Sequence, residues 1–218
     1  MNRHCYIAGA GEFVENVLPE DGDYIIAADG GYLALTSRGI TPDLVVGDFD
    51  SLGKVPDHPN IIQSPVEKND TDMVLAVKQG LERGNNLFTI NGGLGGRLDQ
   101  TLANIQILAY LAENDAFGTL FGLDVCIIAI KGGEVELSVD TTKGKNISIF
   151  SHGEKAVGVT LKGLKYPLEN ATITNTYPVG VSNEFTDEDV VISVDSGTLI
   201  IMWETKAREE SVFTNERY

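Results

Sequence analysis

The chain has 218 residues, of which 42% are hydrophobic and 22% charged, a balance that suits one large or two small folded domains and excludes disorder as the default state. Its 32 acidic and 16 basic residues give a formal charge of −16, which repels nucleic acid and anionic membranes and attracts cations. The same excess also serves solubility alone. Cys5 and Cys126 lie inside apolar runs without a second ligand at metal spacing, so they read as buried reduced thiols, fitting a cytoplasmic protein. Residues 1–8 lack the apolar length of a signal peptide, and no stretch approaches the roughly 20 apolar residues of a membrane span. Neither nucleic acid nor membrane is expected as a partner.

Short apolar runs at 6–8, 24–28, 44–47, 61–63 and 87–91 read as buried strands. A helix is expected over 71–83, with Val74, Val77, Lys78 and Leu81 on one face and Asp70 or Thr71 as N-cap. Another is expected over 98–113, with Leu98, Leu102, Ile105, Leu108 and Ala112 as its apolar stripe. Strand–helix alternation argues for a mostly parallel sheet covered by helices. After about Gly122, strand-like runs follow one another at 125–130, 135–139, 146–150, 156–161, 171–174, 190–194 and 199–203. Turns are marked at 131–133, 143–145, 151–153 and 195–197, and no helical period intervenes. The expected fold is therefore an N-terminal α/β domain over residues 1–138, followed by a C-terminal antiparallel β-sandwich over 139–218.

Four segments carry candidate chemistry. In Gly47-Asp48-Phe49-Asp50-Ser51, a buried strand ends in glycine and delivers two carboxylates two residues apart. Extended chain would point both the same way, toward a Mg²⁺ ion just beyond the strand's carboxyl end. An acidic turn is the other reading. In Lys68-Asn69-Asp70-Thr71-Asp72, Asp72 falls in the first turn of a helix, where the dipole favours a carboxylate. It serves there as a helix-terminus charge or as a third metal ligand, with Lys68 on phosphate. The stretch Asn91-Gly92-Gly93-Leu94-Gly95-Gly96-Arg97-Leu98-Asp99-Gln100 places four glycines between a strand and a helix. Such glycines let backbone N–H groups approach a phosphate, and Arg97 adds a two-pronged donor. The pattern is neither a P-loop nor a Rossmann fingerprint. Finally, Asp29-Gly30-Gly31 follows the second strand, as a helix cap or as part of the same site. Gly9-Ala10-Gly11 after the first strand is a tight turn or a further phosphate loop.

Together these segments resemble thiamine pyrophosphokinases. The likeness rests on Asp29-Gly30-Gly31, Pro42-Asp43 with Gly47-Asp48-Phe49-Asp50-Ser51, Lys68 with Thr71-Asp72, and Gly92–Asn104. It extends to Gly163-Leu164-Lys165-Tyr166-Pro167-Leu168 and to Gly180, Ser182, Asn183 and Phe185. The resemblance implies transfer of a diphosphoryl group from ATP to the hydroxyl of thiamine, with release of AMP. It implies Mg²⁺ on Asp48, Asp50 and Asp72, with these and Arg97 as the catalytic set. ATP would be met by Asp29, Lys68, Thr71, Gly95, Arg97, Asp99 and Gln100. Thiamine would be met by Asp99, Gln100, Ser182, Asn183 and Phe185. A homodimer with its active sites between subunits is implied too. Gln100 stands where many members carry histidine, so a histidine base at that position is ruled out. Trp203 reads as a core strand residue, and Phe185 as core or as an aromatic face for the thiazolium.

Overall fold

The computed structural model describes residues 3–63, 70–138 and 146–205. Five short strands coincide with the apolar runs of the first half: β1 (His4–Ala8), β2 (Tyr24–Ala28), β3 (Leu44–Gly47), β4 (Ile61–Gln63) and β5 (Leu87–Asn91). A sixth, β6 (Phe117–Phe121), was not expected from the sequence. All six run parallel, in the order β6-β5-β1-β2-β3-β4. Helices α1 (Gly31–Thr36), α2 (Asp72–Glu82) and α3 (Leu98–Glu113) cover the sheet. Alternate residues of β1 face opposite cores. Cys5 and Ile7 pack with residues of α2 and α3, whereas Tyr6 and Ala8 pack with Leu35 of α1. None of the helices among the described residues is long and apolar enough to cross a membrane.

The cap of α2 is Thr71, whose hydroxyl accepts from the Val74 N–H at 3.2 Å. The expected stripe on α3 is displaced. Ile107, Leu108, Ala109 and Leu111 are buried, while Leu98 and Leu102 are 82% and 58% exposed. Gly118 explains the inner half of that helix: a side chain there would lie 2.5 Å from Leu111 Cδ1, so its absence lets α3 settle on β6.

The second half is antiparallel: β7 (Val125–Leu137), β8 (Asn146–Ser151), β9 (Lys155–Lys162), β10 (Leu168–Thr174), β11 (Gly180–Glu184) and β12 (Val190–Glu204). The turns expected at 131–133 and 195–197 do not break strands. They are facing irregularities in one continuous β7–β12 ladder, between the pairs Val194–Gly133 and Thr198–Lys131. Gly132, Gly133 and Gly197 supply the positive φ values of 64°, 79° and 96° that the bend requires. On one side of the bend β12 pairs with β9, and on the other with β8, so the ribbon belongs to both layers of the sandwich.

That ribbon also joins the two cores. Cys126, Ile128, Ile130, Leu199, Ile201 and Trp203 point into the sandwich core. Ile127, Ala129 and Ile200 point into the core under α3. Trp203 is thus a core residue, 3% exposed. Ile201→Ala, at a fully buried position opposite Ile128, should cost about 3 kcal/mol of stability. Urea unfolding checks this, and a loss under 1 kcal/mol contradicts the shared-ribbon packing.

Candidate active site

The parallel strands reverse their order between β1 and β5. Chain order runs outward to β2, β3 and β4 on one side and to β5 and β6 on the other. Open α/β sheets bind ligands in the crevice at the carboxyl ends of such a pair. Here Gly9 and Gly11 follow β1, and Gly92–Gly96 follow β5.

The crevice closes to backbone contact. A Cβ on Gly9 would lie 2.4 Å from Gly92 O and 2.8 Å from Met73 Cε, and one on Gly92 would lie 2.5 Å from Gly9 O. Gly11 N–H donates to Gly92 O and Glu12 N–H to Leu94 O, at 2.7 and 2.8 Å. Gly31, at the start of α1, has no room for a Cβ either, since Ala8 O would be 2.0 Å away. Glycine is therefore required for steric reasons at the ends of three elements that meet at one edge.

The carboxylates arrive at this edge in separate ways. Asp29 takes a left-handed conformation (φ 47°), and its N–H donates to Val46 O at 2.8 Å. A Cβ on the adjoining Gly47 would lie 3.2 Å from Asp29 Cα, so the ends of β2 and β3 are in contact. The cap of α1 is Gly30 rather than Asp29.

Asp48 and Asp50 do not lie on extended chain. Phe49 is left-handed (φ 64°) and 2% exposed, plugged into the core beside Tyr6, Leu35 and Val45. A 3₁₀ turn (Asp50–Leu52) follows, and the Asp50 N–H donates to Asp48 Oδ1 at 3.2 Å. The buried aromatic ring drives the backbone into this turn. Asp48 is half-buried and Asp50 exposed.

Asp72 opens α2 directly after the Thr71 cap, one residue before the Met73 side chain that reaches Gly9. Among the described residues, no three His, Cys, Asp or Glu side chains are grouped closely enough to hold a metal ion. The donor chemistry of Asp48, Asp50 and Asp72 nevertheless fits a hard divalent cation, since all three offer carboxylate oxygen. Lys68 lies outside the described residues.

In the glycine loop, Gly92, Gly95 and Gly96 have φ values of 75°, 81° and 70°. Asn104 of α3 donates to Gly93 O at 2.6 Å and ties the loop to its own helix. Arg97 grips Asp99 through Nε–Oδ1 (3.1 Å) and Nη2–Oδ2 (2.6 Å). That hydrogen bond holds the Asp99 carboxyl below the usual carboxylate range. Gln100 is exposed in the first turn of α3.

The sandwich residues form a separate group. Ser182 is exposed and left-handed (φ 57°), and its N–H donates to Ser148 Oγ at 3.1 Å. Asn183 is buried, with Oδ1 accepting from the Tyr166 and Glu184 N–H groups and Nδ2 donating to Tyr166 O. Phe185 is 6% exposed within the sandwich core and bridges to Leu164. The exposed aromatic ring beside them is Tyr166, at 59%, which sequence reasoning did not single out.

Sequence comparison supplies the family. A model of the thiamin pyrophosphokinase catalytic domain matches residues 16–117, and one of the thiamin pyrophosphokinase vitamin B1 binding domain matches residues 134–199. Thiamine pyrophosphokinase of Bacillus subtilis (strain 168) is 30% identical over 203 residues, 88% of this chain and 94% of that protein. This chain belongs to the thiamine pyrophosphokinase family. Among solved members, the thiamine pyrophosphokinase from Bacillus subtilis superposes with a TM-score of 0.82 at 27% identity, over 93% of this chain and 99% of that one. The family protein from Enterococcus faecalis gives 0.76 at 27% identity, over 94% and 99%. Thiamin pyrophosphokinase 1 of Caenorhabditis elegans is 26% identical over 190 residues, 81% of this chain and 77% of its own.

If the crevice depends on bare backbone, Gly31→Ala should lower stability by about 1–3 kcal/mol. Thermal unfolding of the variant checks this, and an unchanged midpoint contradicts it.

Proposed function

We propose that this chain transfers a diphosphoryl group from ATP to the hydroxyl of thiamine, giving thiamine diphosphate and AMP in the cytoplasm. The observation that carries the reading is the close backbone approach of Gly9 and Gly11 to the glycine loop where the strand order reverses, in a chain from this family. Residues 1–138 form the catalytic half and 139–218 the thiamine-binding half.

In the reaction, the thiamine oxygen attacks the β-phosphorus and the bond from that phosphorus to the α–β bridging oxygen breaks. The hydroxyl proton passes to a carboxylate, Asp48 or Asp72, and AMP leaves with the bridging oxygen. Backbone N–H groups of Gly92–Gly96, with Gly95 at the centre, cradle the triphosphate at the start of α3. Arg97 turns from Asp99 to the phosphates, and Lys68 adds a second cation. Asp48, Asp50 and Asp72 would hold Mg²⁺, which would supply charge neutralisation at the phosphoryl oxygens. Asp29 and Thr71 line the nucleotide side, and Asp99 and Gln100 lie between nucleotide and acceptor.

On the thiamine side, Ser182 meets the ligand directly. Asn183 and Phe185 act by fixing the segment that carries Leu164 and Tyr166. The acidic surface favours a cationic thiazolium. We further infer a homodimer that completes each site from two chains. Its support is the set of large apolar side chains left exposed, Leu98 and Leu102 on α3 and Tyr166, Tyr177 and Val179 in the second half.

Incubation with Mg-ATP should produce AMP only when thiamine is present, and Asp48→Asn should lower that rate at least about a thousandfold with the fold intact. Release of ADP, or turnover by Asp48→Asn at the parent rate, refutes the assignment. Sedimentation equilibrium should give twice the chain mass, and a monomer at micromolar concentration refutes the shared site.

A further inference from the structure

The loop after β1 carries Glu12, which lies ahead of the residues 16–117 matched to the catalytic family. Its backbone is fixed from both sides. The Glu12 N–H donates to Leu94 O in the glycine loop at 2.8 Å. Downstream, Asn91 holds the chain. Asn91 is fully buried, and its Oδ1 accepts from the Val14 N–H at 2.8 Å. Its Nδ2 donates to Val14 O, Val17 O and Tyr6 Oη at 2.8 to 3.0 Å. A buried amide with its donors and acceptor so engaged sets the position of residues 11–17.

This anchoring lays the Glu12 side chain on Gly95. A Cβ on Gly95 would lie 2.5 Å from Glu12 Cγ, 2.6 Å from Cδ and 3.0 Å from Oε2. The carboxylate therefore rests on the segment where two successive left-handed glycines, 95 and 96, lead into α3. A glycine loop running into a helix N-terminus favours an anion. Here the neighbouring side chain is itself an anion, and it forms no ion pair among the described residues. A bare polyphosphate entering this cradle meets like charge at close range. A polyphosphate carrying a divalent cation presents less charge and offers the carboxylate a hard ion to face.

We propose that Glu12 is a specificity-determining residue that makes the site select the cation-loaded over the cation-free nucleoside triphosphate. This rests on the reading that the glycine loop receives the triphosphate of ATP.

Calorimetric titration with ATP in excess Mg²⁺ and with ATP in EDTA tests it in the full chain, Glu12→Gln and Glu12→Ala. The expected result is a fall of about fivefold or more in the ratio of the metal-free to the metal-loaded Kd in both variants, the scale of one removed charge contact. That fall should come mainly from tighter metal-free binding, with the melting temperature unchanged. A ratio within twofold of the parent's in Glu12→Gln overturns the role of Glu12 while leaving the nucleotide site standing. A parent chain that binds neither form of ATP overturns the nucleotide reading itself and the role of Glu12 with it.

Discussion

Everything at the candidate site depends on the close approach of the chain after β1 to the chain after β5. Gly9 and Gly92 meet backbone to backbone, each lying where the other's Cβ would need to be. Side chains at these points would wedge the two strands apart and fill the crevice where the strand order reverses. With hydrogen in their place, the edge is lined by peptide groups, which suit a large anion through fixed dipoles rather than mobile charges. The same contact holds the neighbouring segments. Met73 of α2 reaches Gly9, Gly31 of α1 abuts Ala8, and residues 11–12 bond to Gly92 and Leu94. One backbone contact thus gathers the ends of the central strands and the starts of two helices.

The β7–β12 ribbon carries that arrangement into the second half. Its residues alternate between two cores, so neither half packs without it. The helix that begins at the glycine loop, α3, lies against the inner face of β7 and β12. The sandwich continues from the outer face of the same strands. A displacement of the glycine loop would have to move α3 against a close-packed core, which interiors resist. The facing irregularities at Gly132–Gly133 and 195–197 let two strands serve the first sheet and the sandwich without a break.

Much of this was legible in the residue pattern. Fully buried strands announce themselves as short apolar runs, and β2 through β5 begin and end where those runs do. Strand β6 was hidden because Gly118 and Thr119 dilute its apolar character, and its burial comes from α3 packing on a glycine. Strand β11 was hidden because Gly-Val-Ser-Asn-Glu has no alternation to read. The Asp48–Asp50 motif was visible, but its geometry was not. Extended chain through Phe49 would point both carboxylates one way, whereas packing of that ring into the core accompanies a left-handed turn. Periodicity likewise placed Leu98 and Leu102 on the buried stripe of α3, because a helical wheel does not know where the sheet beneath it ends. Glu12 carried no motif at all; its place on Gly95 follows from hydrogen bonds made by Asn91, nearly eighty residues away.

The net charge of −16 poses the remaining problem, since the proposed co-substrate is itself an anion. Among the described residues, Arg97 is the basic side chain at the glycine loop, and it is bound to Asp99. Both partners are largely exposed, at 74% and 63%, so water already competes for the pair and the contact is weak. A phosphate group carries more charge than a carboxylate and offers an equally good bidentate face to a guanidinium. On the proposed reading, phosphate therefore replaces Asp99 on Arg97. Attraction for the anion then comes from peptide dipoles, Arg97, Lys68 and a bound cation rather than from a basic surface. On that reading a nucleotide is held only where the backbone cradle, the guanidinium and a carboxylate-bound ion act on it together, so that an acidic protein handles an acidic substrate without the basic surface that would also attract nucleic acid.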